Sequence, residues 1–429
     1  MRRYESYKDS GVEWLGEVPS HWNLIPNKYI FKLRKNVVGK RSSEYDLLSL
    51  SLKGVIKRDM ENPEGKFPAE FDTYQEVKEG DFIFCLFDVE ETPRTVGLSS
   101  YHGMITGAYT IFETNNVDKK FIYYFYLNLD SNKRLKPLYK GLRNTISKET
   151  FFSFNTFIPP LSEQQKIAQF LDDKTAKIDQ AVDLAEKQIA LLKEHKQILI
   201  QNAVTRGLNP DVPLKDSGVE WLGDVPAHWD IKRLKFMLSE KLKYGANESA
   251  ESDDPEQPRY IRITDIDEQG NLKDDTFKSL EFEKAKDYLL NVNDILLARS
   301  GTVGKSYLYK ENLKNFACYA GYLIRVRLEQ KKFNAEFVNY YFQSIGYWNW
   351  IKSVNIQATI QNVSAEKYND FLLSVPNLQE QATIVDYLDQ KTAKIDQAIA
   401  LKTAYIEKLK EYKSVLINDV VTGKVRVSV

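Results

Sequence analysis

Cysteine and histidine are scarce in this chain, with two of the first and four of the second among 429 residues. Cys85 and Cys318 lie far apart, and His21, His102, His195 and His228 are scattered, so spacing assembles no zinc cluster. Each cysteine sits inside an apolar strand-like run, as expected of buried free thiols in a reducing cytosol. Long apolar runs are missing as well. None approaches the ~20 residues that span a bilayer, and the opening MRRYESYKD offers no apolar stretch for a signal peptide. The expectation is a cytoplasmic chain with no membrane contact. An excess of either charge is also absent, because 60 Lys and Arg balance 60 Asp and Glu. That balance excludes a chain that grips nucleic acid through its overall field. It leaves room for local basic surfaces on segregated faces, with weak binding alone and part of the field coming from partners.

Catalytic signatures are wanting too. No Asn/Asp-Pro-Pro-Tyr/Phe motif for adenine methylation occurs, since Pro159 and Pro160 follow Ile158. Residues 298–306, ARSGTVGKS, approach a phosphate loop, but Arg299 stands where its first glycine belongs. The residues after it, from Tyr307, read as strand, so no helix N-terminus awaits a phosphate. Glu194 to Lys196 mimic the tail of a nuclease motif, yet they lie on the solvated face of a helical stretch.

What is present is repetition. Lys8 to Trp22 read KDSGVEWLGEVPSHW and Lys215 to Trp229 read KDSGVEWLGDVPAHW, identical at 13 of 15 positions with a period of 207 residues. That period is too long for a solenoid unit and describes two whole modules in tandem. KTAKIDQA recurs without change at 174–181 and 391–398. Between these islands the two halves have diverged. Composition is that of a soluble globular protein, with 42% hydrophobic, 28% charged and 12% aromatic residues, and the length suits two or three domains.

Each half follows one programme. In the first, β-type runs at Tyr45–Leu52, Asp81–Phe87 and Ala108–Phe112 are broken by Gly, Pro and Asn, a helix covers Lys119–Leu129, and Phe151–Ile158 forms a last run. Ser162 then reads as the N-cap of a long helix, with Gln165 completing a capping box. Leu171, Ile178, Ala185, Leu192 and Leu199 recur at seven-residue spacing, flanked by Val182, Ile189 and Ala203. In the second half the runs are Arg259–Thr264, Asp294–Ala298 and Tyr322–Leu328. A second long helix carries Leu388, Ile395, Leu409 and Leu416, with Ile399 and Ile406 beside them, and Lys402 interrupts the seam opposite the matching Ala185. Two such stripes most simply pack on each other. The expected domains are 1–159, 160–207, 208–375 and 376–429.

The chain resembles the specificity subunits of type I restriction–modification systems. The resemblance rests on GVEWLG at 11–16 and its repeat, PLSEQQ at 160–165 with Glu380 and Gln381 opposite, the two KTAKIDQA helices, and NDILLARSGTVGK at 293–305. It covers essentially the whole length. It implies an α/β (α+β) fold: two globular target-recognition domains joined by two long antiparallel coiled-coil helices in a pseudo-two-fold tandem repeat. Each domain would read one half of a bipartite sequence in double-stranded DNA, and the helices would set the half-site spacing. The partners implied are two methyltransferase subunits, which hold S-adenosylmethionine, and two restriction subunits, where present, which use ATP and Mg2+. The chain itself would bind no cofactor or metal and carry no catalysis. Two other readings stay open: a self-contained DNA methyltransferase or restriction enzyme, and a coiled-coil scaffold that does not bind DNA.

DNA-contacting candidates follow from side-chain chemistry. Arg, Asn and Gln suit the bidentate edges of guanine and adenine, and hydroxyls and Lys suit phosphates. In the second half these are Arg299, Ser300, Thr302 and Lys305 of the glycine loop, Gln357, Thr359 and Gln361 of a later loop, and Arg262 and Thr264. The first half keeps the Gly-Asp strand at 80–87 but lacks the Arg-Ser-Gly-Thr loop, so Arg94 and Thr95 stand in for it, with Arg143, Asn144, Thr145, Ser51 and Lys53 beside them. For each of these a purely structural turn is the competing reading.

Overall fold

The computed structural model describes residues 2–59, 70–89, 92–141, 144–249, 251–267, 270–273, 275–310, 316–355 and 362–427. The chain divides into two units, Met1–Ala185 with Ala404–Val429, and Glu186–Thr403. It passes from the first to the second within one helix, Leu161–Arg206, and back within another, Leu378–Val421.

Both units are built on the same frame. In the first, Phe31–Arg34, Thr110–Thr114, Phe82–Phe84 and Val96–Leu98 form an antiparallel four-stranded sheet in that order. The second repeats it with Leu238–Tyr244, Leu323–Leu328, Ile295–Ala298 and Ser306–Leu308. A separate ladder pairs Asn155–Ile158 with Asn23–Pro26, and its counterpart pairs Leu372–Val375 with Asp230–Arg233. The central strand of each sheet starts from the same device. Gly80 and Asn293 take positive φ, and the next residue, Asp81 or Asp294, turns its carboxylate back onto the backbone N–H of Lys78 or Asn291. The buried carboxylate then meets an arginine of the same sheet, Arg34 from two strands away in the first unit and Arg327 from the adjacent strand in the second.

Aromatic rings fill the cores. Phe31 packs against Phe82, Phe84, Phe112, Tyr126 and Phe151 with centroids 5.3–5.7 Å away, mostly edge-on or tilted as the ring quadrupole favours. In the second unit Phe371 plays this part among Tyr341, Phe342, Tyr347 and Trp350. Both cysteines are buried and free.

The duplicated segments have a physical explanation. Trp22 and Trp229 are fully buried, and each indole N–H donates to a glutamate in the first turn of a long helix, Glu163 at 3.2 Å and Glu380 at 3.0 Å. His21 and His228 reach the same carboxylates. Burial and the adjacent Glu163 also raise the Tyr4 phenol far above its ordinary value. The neighbouring Gln164 and Gln381 tie the helix start down, each donating to a proline carbonyl (Pro159, Pro376) and accepting from the N-cap residue of an earlier helix of its unit (Asp118 of Lys119–Ser131, Asn334 of Ala335–Tyr341). Each tryptophan is roofed by the αL glycine that ends a helix, Gly423 over Trp22 and Gly207 over Trp229, where a Cβ would press on the ring. Lys8 and Lys215 close the loop on the Trp22 and Trp229 carbonyls.

The KTAKIDQA repeat is equally legible. Thr175 and Thr392 meet the hydroxyls of Tyr124 and Tyr340, and Ile178 and Ile395 are buried. Asp179 pairs with Lys413 in the first unit and Asp396 with Lys196 in the second. In the second unit Gln188 meets Lys402 while Lys196 meets Asp396, so the partner number falls as the first rises and the helices run antiparallel. Lys402, the break in the seam, is thus answered by an amide oxygen at 2.6 Å. Leu171, Ile178, Leu388, Ile395, Ile406 and Leu416 of the expected stripes are buried, while Val182, Ile189, Leu192, Leu199, Ile399 and Leu409 are half-buried.

Two expectations are corrected. The first long helix starts at Leu161, so Ser162 lies inside its first turn, exposed, and the Glu163 and Gln164 amides bond the Pro160 carbonyl. Glu163 and Gln164, between the two residues of the expected capping box, are spent on tertiary contacts. The run Phe151–Ile158 is not one strand: Lys148–Ser153 is a helix capped by Ser147, and the strand starts at Asn155. Packing of Phe151 among the core rings outweighs its strand preference.

Candidate nucleic-acid interface

In the second unit the fully buried strand Ile295–Ala298 ends in a closed loop, with the Gly304 amide on the Ala298 carbonyl at 2.9 Å and Ala298 N–H on Lys305 O at 2.8 Å. Glycine is required twice here. Gly301 has φ 73°, and Gly304 has φ 89° with a Cβ position only 3.0 Å from Ile351 and 3.1 Å from Trp348. The chain then returns as a strand, Ser306–Leu308, so no helix N-terminus faces this loop and a phosphate-loop reading fails. Two buried tyrosines hold it from below: Tyr347 donates to Gly304 O at 2.8 Å and Tyr368 to Ala298 O at 3.4 Å.

Arg299 lies at the lip. Its guanidinium stacks 4.6 Å from the Tyr244 ring centroid, and its Nε donates to Asn362 at 3.4 Å. Stacking on a ring leaves a guanidinium fork oriented outward at little entropic cost. Ser300 is half-buried and Thr302 exposed on the same loop. Lys305 turns inward, donating to the carbonyls of Ile266 and Asp267. Arg262 is committed as well, with its Nε and Nη2 on Asp265 and a further bond to Thr276 O, and Thr264 meets the same carboxylate. These contacts draw 262–267 to the glycine loop. Gln357, Thr359 and Gln361 lie outside the described residues.

The first unit assembles its candidates at the matching place with other chemistry. Val363 N–H bonds Arg299 O in the second unit, and Ile146 N–H bonds Leu86 O in the first, so Leu86 occupies the position of Arg299. Cys85 and Thr95 bracket the corresponding place, with Cys85 N–H on Thr95 O. Arg94 donates to Asp130 and to Leu52 O, and Thr95 is buried with its amide on Asp130. Ser51 shapes the turn below Lys53, accepting from Lys53 N–H and donating to Gly54 O, which leaves Leu52 and Lys53 exposed. Asn144, at φ 42°, and Thr145 form the turn at 140–145 that Ile146 ties to this loop. Arg143 lies outside the described residues. The sequence reading missed Tyr244, Asn362 and Asp130, which support the candidates from distant positions and carry no local signature.

The comparisons agree with this geometry. The type I restriction modification DNA specificity domain matches residues 104–193 and 227–411, more than half of the chain. The chain is 23% identical over 344 residues to the type I restriction enzyme MjaVIII specificity subunit of Methanocaldococcus jannaschii, covering 76% of this chain and 75% of that one. In fold it is similar to a chain from a structure describing complex assembly and conformational transition of the type I R-M system, with TM-score 0.71, 13% identity, and 95% and 99% of the two chains covered. It is also similar to the HsdS subunit from Thermoanaerobacter tengcongensis, with TM-score 0.51, 12% identity, and 97% and 100% covered. With the duplicated frame and the paired long helices, these findings establish that the chain belongs to the type I restriction–modification DNA specificity family.

Proposed function

We propose that each unit reads one half of a bipartite duplex DNA sequence, while the two long helices fix the gap between half-sites and hold two methyltransferase subunits. The observation that carries this reading is one frame built twice, with chemically different loops at the matching position: stacked Arg299 in one, and Leu86 with the Arg94 segment in the other. A shared frame with altered loops is what one chain needs to address two different half-sites. Arg299 is suited to a guanine edge, where a fork can bond O6 and N7 together. Sequence-independent grip on phosphates falls to Ser300, Thr302 and Lys53.

The long helices leave apolar side chains outward. Leu184, Tyr405, Tyr412 and Val415 are exposed in the first unit, and Leu191, Ile198 and Leu401 in the second. Leu184, Leu191 and Ile198 repeat at heptad spacing, as do Tyr405 and Tyr412, which suits partner helices laid along the pair. Chemistry resides in the partners on this reading, with S-adenosylmethionine held by the methyltransferase subunits and ATP and Mg2+ by restriction subunits. Among the described residues no group of three His, Cys, Asp or Glu could hold a metal, and no helix is long and apolar enough to cross a membrane.

The test is reconstitution. The chain with its methyltransferase subunits should methylate a bipartite site, and the chain alone should methylate nothing. Methyl transfer by the purified chain would replace this reading with a self-contained enzyme. Absence of salt-sensitive duplex binding by the complex would replace it with a scaffold unrelated to DNA.

A further inference from the structure

The first unit buries a charged cluster that the second lacks. Asp130 lies at the end of the helix Lys119–Ser131, its side chain 2% exposed. It accepts from the Thr95 amide at 3.0 Å and Arg94 Nη1 at 3.4 Å, and Lys133 Nζ stands 3.7 Å away. The two cations extend the reach of this carboxylate. Arg94 Nη2 donates to Leu52 O in the exposed turn, and Lys133 Nζ donates to the carbonyls of Val89 and Thr92. One buried anion thereby connects a helix end, Val89, Thr92, Arg94 and Thr95, and the turn at 51–54.

Burying a carboxylate against two partly buried cations is a poor way to gain stability, because desolvation offsets most of the attraction and apolar groups of similar volume do as well or better. The cluster is not even fully satisfied. Arg94 Nε, Thr95 Oγ1, Asn128 Nδ2 and Asp130 Oδ1 are buried without hydrogen-bond partners among the described residues. What such a cluster supplies is direction, since a carboxylate that accepts from the Thr95 amide and from an arginine whose other Nη holds Leu52 O admits few loop orientations. In the second unit the matching helix, Ala335–Tyr341, identified by the paired caps Asp118 and Asn334 and the paired tyrosines Tyr124 and Tyr340, is shorter and ends before a position equivalent to Asp130. There Tyr347 and Tyr368 steady the loop instead, donating to Gly304 O and Ala298 O.

We propose that Asp130 is the positioning residue of the first unit's DNA-reading surface, orienting Arg94 and the exposed Leu52–Lys53 turn without touching DNA itself. This rests on the reading that these loops face the half-site, and the experiment separates the two ideas. The full chain, assembled with its methyltransferase subunits, is assayed on duplexes in which each base of one half-site is varied in turn. Asp130→Asn, which keeps shape and removes charge, should lower discrimination in the first half-site about tenfold and leave the second unchanged. Lys133→Met, which keeps the Asp130–Thr95 bond, is the second variant should Asp130→Asn fail to fold, and a smaller loss in the first half-site is expected. A variant that merely destabilised the chain would lower total activity at both half-sites alike. If Arg94→Ala and Lys53→Ala both leave the first half-site's discrimination intact, the loops do not face DNA. If those two variants alter it while folded Asp130→Asn and Lys133→Met do not, the positioning role is overturned.

Discussion

The two units solve one problem by different physics. Beside a common four-stranded sheet, the first unit has two antiparallel pairs, Leu48–Ser51 with Gly54–Lys57 and Gln75–Val77 with Gly103–Ile105. The second has there a parallel pair, Arg259–Ile261 with Ala317–Tyr319. Their loops are fastened differently as well, by a buried carboxylate in one and by tyrosine hydroxyls and a stacked ring in the other. What stays constant is what touches the long helices: the tryptophan, its glutamate, and the threonine, isoleucine and aspartate of the KTAKIDQA segment. Parts that meet the same surroundings have kept their residues, and the loops proposed to read different half-sites have not.

The largest test of this sameness is the buried tryptophan. Trp22→Ala and Trp229→Ala should each destabilise their own unit by about 3–5 kcal/mol, since each removes a fully buried indole and its bond to the helix-start glutamate. Hydrogen exchange on the strands of each unit measures it, and a loss confined to one variant would break the equivalence. Next is the Asp–Arg pair under the central strand. Arg327→Met should cost about 3 kcal/mol by leaving Asp294 buried and unpaired. Arg34→Met should cost less, because the Asp81 carboxyl is already raised above its ordinary range by burial and can take up a proton. Equal losses in denaturant unfolding would remove that distinction.

Arg299→Ala should reduce binding to the second half-site about 10- to 100-fold in the assembled complex and leave the first untouched. Competition binding with half-site variants reads this directly, and an unchanged preference would take Arg299 out of the reading surface. The smallest effect concerns pH. The Glu240 carboxyl is held below its ordinary value, first by its bond from Arg327, so its contribution is present above the unfolded value and is lost as pH falls through the lowered one. Asp81 runs the other way: its raised value favours the protonated fold, a contribution present at low pH and lost as pH rises through that value. Acidification should therefore loosen the second unit's sheet before the first's. Glu240 is half exposed, so the difference is small, and exchange rates that move together below the ordinary carboxylate range would count against it.

Legibility in the sequence tracked how local each cause is. The tandem repeat, the heptad stripes and the glycine loop at 299–304 could be read because identity, periodicity and turn chemistry lie within short windows. The helix start at Leu161 was misplaced because Ser162, Glu163 and Gln165 match a capping pattern, while Glu163 and Gln164 serve Trp22, His21 and Asp118. Nothing within their own window marks those distant partners. The reading surface was partly legible. Arg299 stood out by its loop, but the inward turn of Lys305 and the commitment of Arg262 to Asp265 depend on chain brought alongside by folding.

By itself, then, the sequence determined that two like modules alternate with two amphipathic helices, because duplication and side-chain period are properties of the chain in order. The tertiary structure alone decided which polar groups face outward. A side chain such as Arg94 or Lys305 is spent or presented according to the carbonyls and carboxylates that folding places within about 3 Å of it, and those belong to residues tens of positions away.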